Sequence, residues 1–167
     1  MSTETSASAM TGDANKTIVR RLLEQYFNGR DGAVWDELAH PDIVVHGVYL
    51  LRGAAEAKAF YARLHAAFPD WYATIEDLFG EGDRVAVRIA ESGTLQGSFL
   101  GLTATGKRYE ISAIQIFRVQ DGKIIEMWGA RDSGAMLRQL SAEPALAVAG
   151  EASAGRPGPP AHNTGAC

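Results

Sequence analysis

The stretch Asp121-Gly122-Lys123-Ile124-Ile125-Glu126-Met127-Trp128-Gly129-Ala130-Arg131-Asp132 decides the fold, because it forms the second half of a predicted β-hairpin and ends on a carboxylate. An Asp-Gly pair between two alternating apolar runs is the strongest short-range signal for a two-residue turn. The turn predicts that Gln120 pairs with Lys123. In a regular antiparallel pair, three further partnerships follow: Gln115 with Trp128, Ala113 with Ala130 and Ile111 with Asp132.

One face of this predicted hairpin therefore combines polar and aromatic side chains with two small residues. Ala113 and Ala130 face each other beside Gln115, Trp128 and Asp132. A packed core normally fills such space with larger side chains, so the pattern predicts either a ligand cavity or a gap that a helix fills. The alternation of strand side chains places Arg131 on the opposite face, where we expect it to pair at the surface.

Composition indicates a globular protein without a polyanionic partner. The chain has 167 residues, of which 46% are hydrophobic, and a net charge of -4 with no basic run. Scattered cations argue against nucleic-acid binding and against an anionic membrane. We find no secretory signal and no apolar run of membrane-spanning length. The only cysteine is Cys167, so we expect a reducing, cytoplasmic compartment.

The order of elements predicts an α+β fold. Apolar spacing predicts helices over residues 16–27, 33–39 and 54–68. Strands are predicted over residues 43–46, 71–79, 84–99, 107–119 and 123–131. Three helices on the N-terminal side would pack in a curved, mainly antiparallel sheet. This domain spans residues 15–140, between predicted disordered tails at 1–14 and 141–167, the second rich in Ala, Gly and Pro.

Several strings, in this order, resemble the SnoaL-like polyketide cyclases of the NTF2-like superfamily. They include Phe68-Pro69-Asp70, Gly97-Ser98-Phe99-Leu100-Gly101, Thr105-Gly106-Lys107, the run 121–128 and Leu137-Arg138-Gln139-Leu140. The likeness extends from about Ile18 to Leu140. It implies a cone-shaped barrel with a deep apolar cavity, a homodimer, and no metal or organic cofactor. It also implies an enzyme that closes a ring in a polyketide intermediate during natural-product biosynthesis.

The resemblance implies two catalytic residues. Asp132 matches the aspartate that acts as acid and base in the family, and His46 matches a nearby histidine. Leu95 stands where many relatives have a further pocket histidine, directly after a Gly-Thr pair.

Each catalytic role has a structural alternative. In an apolar cavity, desolvation would raise the pKa of the Asp132 carboxyl group and favour proton abstraction from carbon. Alternatively, Asp132 and Ser133 cap a short helix predicted over residues 134–140. His46 would donate a hydrogen bond to a developing enolate oxygen, or it is a core histidine with satisfied hydrogen bonds.

The predicted substrate pocket is formed by polar, aromatic and small side chains, each of which has core packing or a dimer contact as its alternative role. These residues are Gln115, Trp128, Tyr49, Trp71, Ala113, Ala130 and Leu95. No cluster of His, Cys, Asp and Glu has metal-ligand spacing, and no glycine-rich loop precedes a helix as in phosphate sites.

Two other functions are open on the same fold. One is an isomerase, dehydratase or epoxide hydrolase, and the other is a non-catalytic ligand-binding or dimerisation module. Epoxide hydrolysis would require a second pocket carboxylate and an arginine that faces the same water. The predicted outward direction of Arg131 argues against that chemistry.

Overall fold

The computed structural model describes residues 2–141, with side chains from residue 12 onward. The helices are α1 (Ser2–Arg21), which continues as a π-helical segment (Leu22–Asn28), α2 (Gly32–Leu38), α3 (Ala54–Ala67) and α4 (Ser133–Leu140). The strands are β1 (Ala39–His46), β2 (Leu50–Arg52), β3 (Tyr72–Glu81), β4 (Arg84–Thr94), β5 (Arg108–Gln120) and β6 (Lys123–Arg131). The predicted tail beyond residue 141 lies outside the described residues.

The first helix begins earlier than the apolar spacing indicates. It starts at Ser2, within the segment 1–14 that composition predicts as a disordered tail. The segment contains no proline and several alanines, so nothing in it prevents helix formation. The Asn15 side chain, which is almost fully buried, donates a hydrogen bond of 3.1 Å to the Gly82 carbonyl and ties the helix to the β3–β4 turn.

The α+β prediction is confirmed. The six strands form one sheet in the order β2-β1-β6-β5-β4-β3, and all neighbours are antiparallel except β1 and β6, which are parallel. The sheet is not closed, and β2 and β3 are its edges. The helices bury their apolar side chains, among them Leu22, Trp35 and Leu64, against its inner face.

A β-bulge in β6 makes the predicted hairpin register wrong beyond the first two pairs. Gln120 pairs with Lys123 and Val119 with Ile124, as predicted, but Arg118 then pairs with Glu126 and leaves Ile125 without a partner on β5. The remaining pairs are therefore displaced by one residue: Phe117 with Met127, Ile116 with Trp128, Gln115 with Gly129, Ile114 with Ala130 and Ala113 with Arg131.

This one-residue shift reverses the two faces of the end of β6. Met127, Gly129 and Arg131 now share the inner face with Gln115, whereas Trp128 and Ala130 lie on the outer face. The turn itself has the predicted geometry, with φ values of 50° at Asp121 and 75° at Gly122.

Candidate active site

An apolar cavity of about 530 Å³ lies between the inner face of the sheet and helices α3 and α4. This volume is typical of pockets that bind small organic molecules. Its walls are mainly aromatic and aliphatic side chains, including Phe60, Tyr61, Leu64, Phe68, Phe99 and Met127.

Several apolar side chains at the mouth of this cavity are exposed. Val48 and Tyr49 belong to the β1–β2 connection and are 60% and 55% exposed, and Leu137 of α4 is 47% exposed. All three border the cavity, so the role predicted for Tyr49 at the mouth is consistent with its position. Exposed apolar residues at a cavity entrance are typical of sites that receive apolar ligands.

Polar groups interrupt the apolar wall at one place on the sheet. Tyr109 and Gln115 of β5 and Arg131 of β6 all line the cavity. The Gln115 Oε1 atom and the Tyr109 hydroxyl are buried without a hydrogen-bond partner among the described residues. Because most buried polar atoms in proteins are hydrogen-bonded, the Gln115 Oε1 atom is available to a polar ligand.

Behind this wall, β4 contributes a fully buried carboxyl group. Glu91 has no exposed surface, and its Oε1 atom lies 3.2 Å from the Arg131 Nη1 atom. Neither carboxyl oxygen of Glu91 has a hydrogen bond of normal geometry to a described residue. Burial raises the pKa of Glu91, an effect that the Arg131 charge and the Tyr109 hydroxyl oppose.

Space in the cavity comes from a glycine and not from the predicted pair of alanines. Gly129 lies opposite Gln115, and a Cβ atom placed on it would meet no other atom within 4 Å. Ala113 is buried opposite Arg131, and Ala130 lies on the outer face at the border of the cavity.

Asp132 is the N-cap of α4. Its Oδ1 atom accepts a hydrogen bond of 2.7 Å from the Ala135 amide, and its side chain is exposed. The predicted pairing of Asp132 with Ile111 is wrong, because β6 ends at Arg131 after the bulge. Asp132 itself does not line the cavity, whereas its two neighbours in the chain, Arg131 and Ser133, do. The capping alternative is thus confirmed, and the catalytic role of Asp132 stays a prediction.

His46 belongs to a charged cluster on the outer face of the sheet. Its Nε2 atom donates a hydrogen bond of 2.8 Å to Glu126, which also accepts from Arg118. The imidazole stacks on the Trp128 ring with centroids 5.4 Å apart, and Arg84 covers that ring. His46 and Trp128 border the cavity, but their rings lie away from Gln115. The structure does not bring His46 together with the inner polar groups.

The two other predicted pocket residues are part of the core. Trp71 and Leu95 are buried and do not line the cavity, although the Trp71 Nε1 atom has no hydrogen-bond partner among the described residues.

Three inner polar residues, Glu91, Tyr109 and Arg131, were missed by the sequence analysis. The alternation of Val85, Val87 and Ile89 could have identified Glu91, because the next inward position on β4 is residue 91. Arg131 could not be found in this way, because the bulge changes its direction.

Within the described part of the chain, no group of three or more His, Cys, Asp or Glu residues could hold a metal ion. No helix in residues 2–141 is both long and apolar enough to cross a membrane.

An α+β fold whose sheet and helices enclose an apolar cavity with a few inward polar groups is typical of NTF2-like proteins. This chain belongs to the SnoaL-like polyketide cyclase family, whose sequence profile matches residues 17–140. The resemblance stated from the sequence is thereby confirmed.

Relatives with known names support a cyclase. The chain is 32% identical over 113 residues to aklanonic acid methyl ester cyclase DauD of Streptomyces sp. (strain C5), which covers 64% of this chain and 69% of DauD. It is 31% identical to a candidate SnoaL-like polyketide cyclase from Jannaschia sp. CCS1, with a TM-score of 0.74 over 80% of this chain and 95% of the other. For IdmH, a candidate polyketide cyclase from Streptomyces antibioticus, the identity is 32% and the TM-score 0.66, over 75% and 97% of the two chains.

Proposed function

We propose that this protein closes a ring in a polyketide intermediate by acid/base catalysis, without a cofactor, during natural-product biosynthesis in the cytoplasm. The observation that carries the proposal is the convergence of Tyr109, Gln115 and Arg131 in an otherwise apolar cavity. A polyketide chain has the matching chemistry, because it combines an apolar carbon skeleton with regularly spaced carbonyl oxygens. The DauD relative is named for a reaction of this class.

The walls of the cavity would supply much of the rate acceleration. A flexible chain must bring two of its own carbons together, and an apolar cavity of fixed shape restricts it to folded conformations. Good orientation in intramolecular reactions contributes about 7 to 11 kcal/mol in favourable cases. The Gln115 Oε1 atom, which lacks a partner, would accept a hydrogen bond from an enol hydroxyl group of the substrate.

Asp132 is the proposed acid and base. One carboxyl oxygen caps α4, which leaves Oδ2 to accept a proton from a carbon between two carbonyl groups. The position between two cavity-lining residues supports this assignment. The oxyanion role predicted for His46 has weaker support, because its Nε2 atom is engaged by Glu126.

The experiment compares Asp132→Asn with Asp132→Ala in turnover of aklanonic acid methyl ester, the compound in the name of DauD. Asparagine also caps helices well, so Asp132→Asn should fold normally and lose turnover by at least about 100-fold, a typical contribution of a general base. Asp132→Ala should in addition lose about 0.5–2 kcal/mol of the free energy of unfolding, measured in urea.

The product is separated from the substrate by liquid chromatography and then weighed by mass spectrometry, because ring closure by aldol addition gives a new compound of unchanged mass. Wild-type turnover retained by Asp132→Asn would show that Asp132 is only a helix cap. Failure of the wild-type protein to cyclise any linear polyketide ester would contradict the proposed function itself.

Hydrolysis of an epoxide is a second candidate function, because Arg131 lines the cavity, contrary to its predicted outward direction. The Glu91 carboxyl group lies 3.2 Å from Arg131, although Glu91 itself does not line the cavity. Incubation with an apolar epoxide in water labelled with heavy oxygen distinguishes the two reactions. A hydrolase incorporates the label into a diol, whereas an aldol cyclisation incorporates none.

A further inference from the structure

Arg131 is an arginine that lines an apolar cavity, and Glu91 is its one ion-pair partner among the residues with described side chains. Its contact with Glu91 lacks hydrogen-bond geometry, and no hydrogen bond connects it to another described residue. A guanidinium group carries five N–H donors in a fixed plane. About a quarter of the side chain, 27%, is exposed, and the residue lines the cavity. Its donors are therefore available to a molecule bound there.

Glu91 explains why an arginine is tolerated at this depth. An isolated charge in an apolar environment is costly, and a partner of opposite sign reduces this cost. Glu91 has no exposed surface and is not among the residues that line the cavity. The contact with Glu91 thus leaves part of the Arg131 side chain exposed where it lines the cavity.

The planar, two-donor edge of a guanidinium group matches ligands that present two oxygens side by side. A carboxylate is one such ligand. The enolate of a 1,3-dicarbonyl group is another, because its negative charge is shared by two oxygens in one plane. Such groups occur along a polyketide chain, and their enolates are the nucleophiles in aldol closure.

We propose that Arg131 binds the two oxygens of an enolised 1,3-dicarbonyl group of the substrate, with Glu91 as the buried counter-ion that positions it. The choice of substrate class rests on the proposed function. Arg131 is then a substrate-binding residue that stabilises the charge of the enolate, and Glu91 is a positioning residue. The proton lost in enolisation goes to the base, for which Asp132 is proposed.

The charges of Arg131 and Glu91 should have opposite effects on the binding of an enolate. The Arg131 charge favours the enolate over its neutral parent, and the charge of Glu91, which does not line the cavity, partly opposes it. Removal of the positive charge should therefore weaken enolate binding. Removal of the negative charge should strengthen it, provided that the protein folds.

The test uses 1-phenylbutane-1,3-dione, whose enolate has its own ultraviolet absorbance, and needs no turnover. The fraction of bound probe in the enolate form is measured by absorbance as a function of pH. An opposite charge within reach lowers the pKa of an acid by about one to three units. We expect the wild-type protein to favour the enolate over the neutral probe on the order of tenfold more than water does.

Three variants and one control give the proposal a definite outcome. Arg131→Met should abolish the preference for the enolate, Arg131→Lys should keep part of it, and Glu91→Gln should increase it. Arg84→Met removes an arginine from the outer face and should leave the preference unchanged. Circular dichroism shows whether each variant is folded. If Arg131→Met does not fold, the enolate preference of Arg131→Lys is the test of the proposal.

The proposal is overturned if folded wild-type protein shows no enolate preference or if the Arg131 variants retain it in full. A merely structural ion pair would change stability in both Arg131→Met and Glu91→Gln but not the titration of the probe. Cyclisation without an enolate preference would leave the cyclase assignment intact and contradict only the role of Arg131. An enolate preference without cyclisation of any linear polyketide ester would support the role of Arg131 and contradict the cyclase assignment.

Discussion

Glu126, on the outer face of the sheet, should make the stability of the fold depend on pH. It lies beside His46 and Arg118, at hydrogen-bond distances of 2.8 and 2.9 Å. The hydrogen bond from His46, followed by the effects of Arg118, lowers the pKa of the Glu126 carboxyl group below its ordinary value. A carboxyl group whose pKa is lower in the folded state stabilises that state when it is ionised.

We therefore expect Glu126→Gln to reduce the melting temperature at neutral pH. The stabilisation by Glu126 is complete above the pKa of the unfolded chain and disappears as the pH falls through the lower pKa of the folded protein. The wild-type and variant melting curves should converge at acid pH. Glu81→Gln, the same change at an exposed position of β3, serves as the control and should show no such convergence. Parallel wild-type and Glu126→Gln profiles down to acid pH would contradict this account.

At the level of elements, the bulge in β6 decides which side chains reach the cavity. Met127 is buried and Arg131 is paired with Glu91 only because Ile125 is accommodated without a partner on β5. A regular strand would direct Glu126 and Trp128 inward in their place.

Deletion of Ile125 should remove the bulge without changing the register that follows it. Ile124 and Met127 would then be two residues apart, so Glu126 stays opposite Arg118 and Met127 stays opposite Phe117. We expect both this deletion and Ile125→Ala to lower the free energy of unfolding by about 1 kcal/mol. Urea denaturation measures both. A deletion variant that does not fold, beside a stable Ile125→Ala variant, would show that the bulge itself is required.

The same element shows how far the sequence could predict the site. The Asp-Gly turn is encoded locally, so its position and its first two pairs were predicted correctly. The bulge depends also on β1, whose pairing with β6 shifts register between Ala39 and Val44, far away in the sequence. The sequence does contain a local indication of the bulge, because the buried residues Ile124 and Met127 are three positions apart and interrupt the alternation. Hence the cavity that the family resemblance implies is present, but the inward residues that the hairpin pattern predicted at the end of β6 are wrong.

At the level of the whole molecule, the order of helices and strands was readable because long periodic segments each carry their own signal. The short strand β2 and the parallel pairing of β1 with β6 carried no such signal. Both depend on contacts that form only after the sheet has assembled.

The outer face of that sheet supports the homodimer that the family resemblance implies. Ile114 and Ile116 lie at its centre and are 53% and 38% exposed, and Tyr72 on the edge strand is 55% exposed. Apolar residues on an otherwise charged sheet face are typical of a contact between subunits.

We expect Ile114→Lys to convert a dimer to a monomer, because it would bury an unpaired charge in the contact. Sedimentation equilibrium measures the mass. Val48→Lys, which changes an exposed apolar residue at the cavity mouth instead, should leave the mass of the dimer unchanged. A monomeric wild-type protein would contradict the expectation.

Gly129 has a consequence for how this protein can change over evolutionary time. Its backbone does not require glycine, and the space beside it is open. Alanine and valine are each one nucleotide away from every glycine codon. Single mutations can therefore reduce the space opposite Gln115 in small steps while the sheet stays intact, so a gene duplicate can acquire a preference for a shorter or less branched substrate without a compensating change elsewhere.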